Sequence, residues 1–520
     1  MEEEDDTTTH PRTERSPPKG LASLLSARVL GRNLMDSYDN SSTASSVITT
    51  SAAAFVESSI HISPPTREDD AERSDGRHGE ADDLETPLVD EEGSVSTSMA
   101  TTTTRLNHAT AALTNTIVGA GIVALPRVFE SLGVVPGTLL LGAFFYLSRY
   151  TLAAMIRSAN AVGAWTYDEL VRSQFGDWGA RSLDAAIVVN NLGGLLVYLI
   201  IIGDLLVGKS PFYSGIVTNA LGMHGGDVWW VSREFVVGLV ALLVLFPLVG
   251  MRDISGLGKL SVYSVSVAVG LVGAIGALAV AAAAQGKLAT DVSVWLPNFA
   301  ALGSTPARMA MSAVAILPVV SATFCCHYNL FPVATNLERF SDRRIAMVIR
   351  RSLVVCTALF LSLAVSGVAL FGSATEGNVL VNLRPEVVEA YTPRAVADII
   401  CLGIRILYLL VVVSSFPMLN WALRETVSSY LFGARTLVGE GSFLLFSFGL
   451  VLVEYVMSVA FPQIWTIMAL TGATAAVYVM FILPGALVSK TSDRGEDWFM
   501  SRFSIIFGFV MMFFGVIDNV

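Results

Sequence analysis

Charged residues are scarce in this sequence. Asp, Glu, Lys and Arg make up 15% of the 520 residues, whereas hydrophobic residues make up 53%. An average soluble domain carries about 25% charged residues. The deficit argues against an ordinary soluble domain and indicates that lipid solvates much of the chain.

Cysteines and polar catalytic groups are also few. The four cysteines, Cys325, Cys326, Cys356 and Cys401, lie within or beside apolar stretches and are interpreted as small hydrophobic residues rather than a disulfide framework. No apolar stretch holds paired carboxylates, metal-ligand spacing or a nucleophile with its base. A membrane-embedded enzyme is therefore not expected, and neither is a bound cofactor.

The acidic charge is confined to the N-terminal fifth of the chain. Residues 1–104 contain 21 Asp and Glu against 8 Lys and Arg, while the remainder contains 23 against 25. Residues 1–104 are rich in Ser, Thr and Pro, so they are predicted to form a disordered acidic tail. The segment 84–92 resembles an acidic sorting signal, although a solvated linker is the favoured interpretation.

Apolar stretches of about 20 residues recur from position 105 to the end, and each is long enough to cross a bilayer as a helix. They predict a transmembrane domain over 105–520 with eleven helices, at about 107–130, 134–157, 182–207, 233–250, 257–285, 309–332, 346–372, 395–421, 440–461, 463–485 and 499–517. Loops on one side carry sixteen lysines and arginines and loops on the other carry six. The basic side faces the cytosol, which places the tail there.

The first predicted helix contains an unusual group of small residues. Gly119 and Gly121 flank Ala120, and Pro126 follows. Glycine and proline weaken a helix, so the backbone is expected to unwind and expose amides and carbonyls that suit a carboxylate and a small cation. A close helix–helix packing seam explains the same residues equally well.

The sixth predicted helix has the same character, because Pro318 and Pro332 bracket a polar cluster. Helices one and six hold corresponding positions in two five-helix halves. Such a pair of interrupted helices indicates an inverted-repeat transporter with a site at the membrane midplane. A channel is disfavoured, since the breaks suggest an occluding site rather than a continuous filter.

Four segments resemble segments of the amino acid/auxin permease family and follow one another in the same order along the chain. They are 115–126 in the first helix, 190–204 in the third, 324–329 in the sixth and 472–477 in the tenth. The branches most similar to them are the sodium-coupled neutral amino acid transporters of animals and the vacuolar amino acid transporters of plants. The resemblance implies an all-α, eleven-helix LeuT-like fold with a 5+5 inverted repeat and an amino acid substrate.

The resemblance also implies roles for individual residues. Gly119 and Gly121 would offer main-chain contacts to the substrate carboxylate, and Tyr198 its hydroxyl. The predicted substrate-binding set is Thr116, Gly119, Ala120, Gly121, Tyr198, Phe324 and Cys325. Asn190 and Asn191 are predicted to hold a gate, with ordinary interhelical hydrogen bonds as the alternative.

The coupling ion is left open between sodium and a proton. Asn115 matches the asparagine of the sodium-coupled branch, and carbonyls of Asn115 and Val118 with hydroxyls of Ser414 and Ser415 would suit sodium. Serines bonded to their own helix are the alternative. His327 would suit a proton, because histidine titrates near neutral pH. A neutral histidine bonded to a neighbouring carbonyl is the competing interpretation.

Two functions remain in competition at this stage. The first is a secondary active transporter of small neutral amino acids, in a vacuolar or lysosomal type of endomembrane or in the plasma membrane. The second is an amino acid sensor that signals through cytosolic partners of its tail. Both require an amino acid ligand and a lipid bilayer, and neither involves nucleic acid. The amphipathic segment 165–176 is expected to lie in the membrane interface or to close the inward pathway.

Overall fold

The computed structural model describes residues 106–209, 213–223, 228–251, 257–335, 337, 341–432, 440–492 and 495–519. These residues all fall within one compact unit, Thr49–Val520. A second unit, Met1–Ile48, and the rest of the predicted tail lie outside the described residues.

Long apolar helices dominate the described residues. Nine of them are long and apolar enough to cross a membrane: Val134–Val162, Tyr167–Leu206, Tyr263–Ala284, Pro306–Thr335, Asp342–Ala374, Arg394–Leu431, Gly441–Ala460, Ile464–Thr491 and Asp497–Ile517. The helices Leu106–Ile117 and Gly121–Leu132 meet at a 51° bend and together would make a tenth span. The prediction of an all-α polytopic membrane protein is confirmed.

The helices and strands are numbered here in chain order. The α-helices are α1 (Leu106–Ile117), α2 (Leu125–Leu132), α3 (Val134–Val162), α4 (Tyr167–Leu206), α5 (Ile216–Leu221), α6 (Arg233–Val240), α7 (Phe246–Val249), α8 (Leu257–Ala284), α9 (Phe299–Leu302), α10 (Pro306–Phe324), α11 (Leu330–Thr335), α12 (Asp342–Phe371), α13 (Val379–Asn382), α14 (Pro385–Val388), α15 (Arg394–Phe432), α16 (Glu440–Ala460), α17 (Ile464–Thr471), α18 (Leu483–Thr491) and α19 (Glu496–Asn519). Strands β1 (Gly208–Lys209) and β2 (Tyr213–Ser214) pair antiparallel. Short 3-10 turns cover Ala120–Ala124, Trp229–Val231, His327–Asn329 and Gly372–Ala374, and π-helical segments cover Ala241–Leu245, Gly472–Ala476 and Tyr478–Ile482.

The fourth predicted helix is shorter than the others. Helix α6, the π-helical segment Ala241–Leu245 and helix α7 follow one another without a gap. At 1.5 Å per residue they extend over about 25 Å, slightly less than the hydrocarbon core. The segment therefore lies at the lower limit for a membrane span.

The third predicted helix is continuous with the amphipathic segment before it. Helix α4 begins at Tyr167, and a kink at Gly176 separates its first turns from the part that contains the predicted span from about residue 182. Thr166 caps this helix: its side chain accepts the Glu169 N–H, and the Glu169 carboxylate accepts the Thr166 N–H. This reciprocal pair fixes a helix start. Gly176, at a φ of 68°, kinks the helix ten residues later, so the amphipathic segment 165–176 is part of α4.

Helix ends near Gly119 and Cys325 follow the same local pattern. Gly119 has φ −94° and ψ −158°, and Cys325 has φ −74° and ψ 100°, so both are extended. A proline lies seven residues after each of them, at Pro126 and Pro332. Proline is well tolerated in the first turn of a helix, where its missing N–H would have no intrahelical partner. Pro126 lies in the first turn of α2 and Pro332 in the first turn of α11, so each proline suits the helix start that follows the extended residue.

Three helices pack closely around Pro318 of α10. A Cβ atom at Gly472, where α17 meets the π-helical segment, would overlap the Pro318 carbonyl oxygen. A Cβ atom at Gly515 of α19 would lie 2.6 Å from the Pro318 ring. Glycine at both positions lets the backbones approach, as is common between membrane helices.

We expect Gly472→Ala to destabilise the protein by about 1–3 kcal/mol, because the added methyl group forces α10 and α17 apart. Gly449→Ala in α16 is the matched control, since no atom lies within 4 Å of its Cβ position. The measurement is the temperature at which half of the detergent-solubilised protein loses its monodisperse peak in size-exclusion chromatography. A Gly472→Ala midpoint equal to that of Gly449→Ala would contradict the packing argument.

Candidate functional site

The bend between α1 and α2 contains two glycines in different surroundings. At Gly121, a Cβ atom would lie 2.8 Å from Thr323 Oγ1 and 3.1 Å from Met468 Cε. At Gly119, the nearest atom to a Cβ position is the Tyr198 hydroxyl oxygen, at 3.8 Å. Gly121 therefore permits close packing against α10, whereas a side chain at Gly119 would meet the Tyr198 hydroxyl at ordinary contact distance.

Tyr198 links this bend to two other helices. It lies on α4 and is 9% exposed, and its hydroxyl makes a polar contact with Ser415 of α15. The α1–α2 bend, α4 and α15 thus bring Gly119, Tyr198 and Ser415 together. All three residues were predicted from the sequence as site residues.

Hydroxyl groups continue from Ser415 into α8. The Oγ atom of Ser264 lies 3.1 Å from Ser415 Oγ and 3.4 Å from Ser414 Oγ, and Ser414 also donates to the Val411 carbonyl. This serine cluster offers oxygen atoms of the kind that a hard cation binds. Ser264 was not predicted from the sequence. It lies in a run of small residues in α8, and nothing in that run marks it as different from an ordinary residue on a helix surface.

The predicted residues of the first helix are arranged around the bend. Thr116 donates its hydroxyl to the Leu113 carbonyl at 2.8 Å, a bond within its own helix. Asn115 is half-buried, Val118 is buried, and Ala120 begins the 3-10 turn. The Gly119 N–H donates to the Ile117 carbonyl at 2.9 Å. The amides at the start of the following turn have no preceding helical carbonyl to bond, as at any helix start.

The end of α10 contributes both packing residues and polar contacts. Phe324 is fully buried between the rings of Phe144 and Phe360, whose centroids lie 6.1 and 5.3 Å away. Cys325 is buried at the extended residue that ends α10. Tyr328 makes a polar contact with Asn190 of α4. Phe324 thus belongs to the packed core in this structure, while Asn190 bridges α4 to the second break.

His327 is fully buried against α3. Its Nε2 atom lies 2.8 Å from Thr151 Oγ1, and Thr151 donates to the Leu147 carbonyl at 3.0 Å. The tautomer of His327 determines which of the two atoms donates in this contact. His327 Nδ1 is buried without a hydrogen-bond partner among the described residues.

Asn191 is also fully buried, one residue from Asn190. Neither its Nδ2 nor its Oδ1 atom has a hydrogen-bond partner in the described part of the chain. Buried amides normally find partners, so an unsatisfied pair is a feature of sites that bind water, ions or ligands. Among the described residues, Asn191 therefore lacks the interhelical hydrogen bonds that were the alternative to its predicted role in a gate.

A cavity of about 510 Å³ lies beside the helices that carry the two breaks. Its lining includes Arg127, Ile316, Ser373, Glu376 and Trp465. Arg127 forms an ion pair with Glu130 at 3.1 Å and donates to the Thr375 carbonyl. The cavity offers charged and polar groups close to the α1–α2 bend.

The rim of this cavity is held by a loop contact between Asp291 and Ser373. The hydroxyl and the backbone N–H of Ser373 both bond to the Asp291 carboxylate and hold its pKa below the ordinary value. Asp291 therefore keeps its negative charge on the rim.

Comparisons with known proteins show the family of the chain. The family model described as transmembrane amino acid transporter protein matches residues 102–519. The amino acid transporter AVT6E of Arabidopsis thaliana is 30% identical over 419 residues, which cover 78% of this chain and 81% of that protein. The putative sodium-coupled neutral amino acid transporter 11 of Danio rerio is 26% identical, covering 76% and 84%.

A mutant of the Eremococcus coleocola manganese transporter has a similar solved structure, with a TM-score of 0.49, 12% identity, and coverage of 84% of this chain and 88% of that one. The relatives matched in sequence are named as transporters and not as enzymes. The resemblance noted in the sequence is confirmed by the family match. The chain is an integral membrane protein and belongs to the transmembrane amino acid transporter family.

Proposed function

We propose that the protein is a secondary active transporter that moves small neutral amino acids by alternating access, coupled to a proton or sodium gradient. The observation that carries this proposal is the convergence of Gly119, the Tyr198 hydroxyl and Ser415 at the interrupted part of the first helix. A transport site at such an interruption uses backbone N–H and C=O groups that would be hydrogen-bonded to each other in a continuous helix.

The groups at this position match the two charges of an amino acid. The amides at the start of the 3-10 turn Ala120–Ala124 and the Tyr198 hydroxyl can donate to a carboxylate. The last carbonyls of α10 can accept from an ammonium group. The Tyr198 hydroxyl lies 3.8 Å from the Cβ position of Gly119, which puts it within contact distance of a group bound at the bend.

The architecture supports an eleven-helix, LeuT-like inverted repeat. The nine long spans and the bent pair account for ten membrane helices among the described residues, and the segment Arg233–Val249 would be the eleventh. The extended residues Gly119 and Cys325 would then lie in the first and sixth helices, each seven residues before a proline. Matching interruptions in the two halves are what an internal repeat generates. The charge asymmetry of the loops supports a cytosolic tail.

The two coupling ions correspond to two groups of residues. Sodium would use the serine cluster of Ser264, Ser414 and Ser415 together with carbonyls of Asn115 and Val118. A proton would use His327 Nδ1, which is buried without a partner among the described residues. The relatives named sodium-coupled neutral amino acid transporters support the substrate class and the first of these ions.

We expect the purified protein in liposomes to accumulate a neutral amino acid when a gradient of the coupling ion is imposed. A sodium gradient and a proton gradient are tested in separate experiments. Accumulation above the equilibrium level under one gradient identifies the coupling ion, and loss of accumulation after an ionophore collapses that gradient is the control. Lack of uptake for all standard amino acids under both gradients would overturn the proposal and favour a sensor.

We expect Tyr198→Phe to raise the KM for the amino acid about tenfold, because a hydrogen bond to a charged carboxylate contributes about 1.5 kcal/mol or more. Tyr146→Phe, which removes a hydroxyl from an exposed position on α3, is the matched control. The measurement is initial uptake against substrate concentration. Equal KM values for the two variants would remove Tyr198 from the site.

We expect Gly121→Ala to reduce uptake at least tenfold and Gly119→Ala, whose methyl group would share the space in front of Tyr198 with the substrate, to reduce it less. The added methyl group at Gly121 would press on Thr323 and Met468, whereas at Gly119 the nearest atom is 3.8 Å away. Overpacking of this kind costs about 1–3 kcal/mol. Surface expression and chromatographic behaviour of both variants provide the control, and the opposite order of uptake would contradict the assignment.

A further inference from the structure

Two polar side chains meet in the buried interface between α15 and α16. Glu454 of α16 and Asn420 of α15 are both fully buried. Asn420 Nδ2 donates to Glu454 Oε1 at 2.6 Å. A carboxyl group at this depth in a membrane helix is costly and is by default a candidate functional group.

One side-chain oxygen of each residue has no hydrogen-bond partner in the described part of the chain. Glu454 Oε2 and Asn420 Oδ1 are buried, and neither has a hydrogen-bond partner among the described residues. Both atoms are acceptors when the carboxyl group is ionised. In that state the structure would hold an uncompensated negative charge and two unsatisfied oxygens in a medium of low dielectric constant.

One proton resolves both deficits. A proton on Glu454 Oε2 removes the charge and turns that atom into a donor, and Asn420 Oδ1 is an unpartnered acceptor on the amide that already binds Oε1. Rotation about the terminal bonds then gives an acid–amide pair with two hydrogen bonds, N–H to Oε1 and O–H to Oδ1. With the amide turned over, Oδ1 would face Oε1, and that contact also requires a proton on the carboxyl group.

The nearest buried cation is engaged by other groups. Arg424, one turn along α15 from Asn420, donates to the Val249 carbonyl at 2.9 Å and to Ser447 Oγ at 3.2 Å. It also lies over the Phe443 ring. Glu425, its neighbour on α15, is exposed.

The charged groups of the other packed elements are likewise engaged or exposed. Helix α16 packs against α4, α6, α7 and the π-helical segment between α6 and α7. On α6, Arg233 pairs with Asp204 of α4, and Glu234 is exposed. On α4, Asp184 interacts with Asp168 and Arg172 near the start of the helix. Helix α7 and the π-helical segment contain no charged residue. Within the described ranges, no ion pair reaches Glu454.

We propose that Glu454 and Asn420 form a reversible proton-binding site within the membrane domain, separate from the candidate substrate site. The two sites share a helix, because Ser415, which contacts Tyr198, lies five residues before Asn420 on α15. That spacing corresponds to about 8 Å along the helix axis. Proton occupancy therefore fixes the contact between α16 and the helix that carries the serine cluster.

Infrared difference spectroscopy of the full-length protein in liposomes tests the proposal. The wild-type spectrum minus that of Glu454→Gln is expected to show the carbonyl stretching band of a protonated carboxylic acid at neutral pH. The band is expected to disappear when the pH is raised and to return when the pH is lowered. Glu425→Gln, which removes an exposed carboxyl group from α15, is the matched control and is expected to remove carboxylate bands only.

Carboxylate bands in place of the acid band in the Glu454→Gln difference spectrum would overturn the proposal. An acid band that persists through the alkaline titration would overturn its reversibility. Asn420→Ala provides a second variant, in which the acid band is expected to shift because its hydrogen-bond partner is lost; an unchanged band would overturn the acid–amide pair. Failure of the wild-type protein to transport, with the acid band present, would overturn only the proposed function.

Discussion

Every backbone amide and carbonyl inside the hydrocarbon core must find a partner within the protein. Long continuous helices meet this requirement on the lipid-facing surfaces. The chain leaves the helical conformation at Gly119 and Cys325, and the residues beside these points, Val118 and Cys326, are buried. The interruptions are therefore possible because other helices enclose them, and the same enclosure makes their backbone groups a candidate binding site.

Glycine serves two purposes within this one interruption. Gly121 allows α10 to approach, since Thr323 occupies the space of a side chain, while a side chain at Gly119 would meet the Tyr198 hydroxyl at ordinary contact distance. From the sequence, a packing seam and an unwound site explained these glycines equally well. In the structure the packing explanation applies to Gly121 and the unwound site to Gly119. Close packing on one side holds the bend in place, and the other side faces Tyr198.

The helical fold was predictable because apolar length alone determines which segments can span lipid. Helix boundaries were less predictable where charged residues continue a helix beyond the membrane: the capping box of Thr166 and Glu169 starts α4 well before residue 182. Contacts between distant segments were not predictable. Ser264 joins Ser415 only through packing, and Phe324, predicted to bind substrate, lies in an aromatic core with Phe360.

Polar pairs across helices show the same limit. Asn420 and Glu454 are separated by 34 positions and no sequence motif connects them. The role proposed for this pair depends on two oxygen atoms that lack hydrogen-bond partners among the described residues. Only a three-dimensional structure can show that these partners are lacking. Asn191 differs, because the family resemblance identified its segment. That its amide lacks hydrogen-bond partners among the described residues could not be predicted from the sequence.

The contacts at Pro318 have a mechanical consequence. Gly472 and Gly515 both lie against this proline, so α10, α17 and α19 are locked together at one level of the membrane. Sliding between them would force backbone atoms into one another. The proline contacts therefore stiffen the body of α10 against its neighbours, and the nearest point at which its path can turn is the end of the helix, where Cys325 is extended and Cys326 also departs from helical geometry.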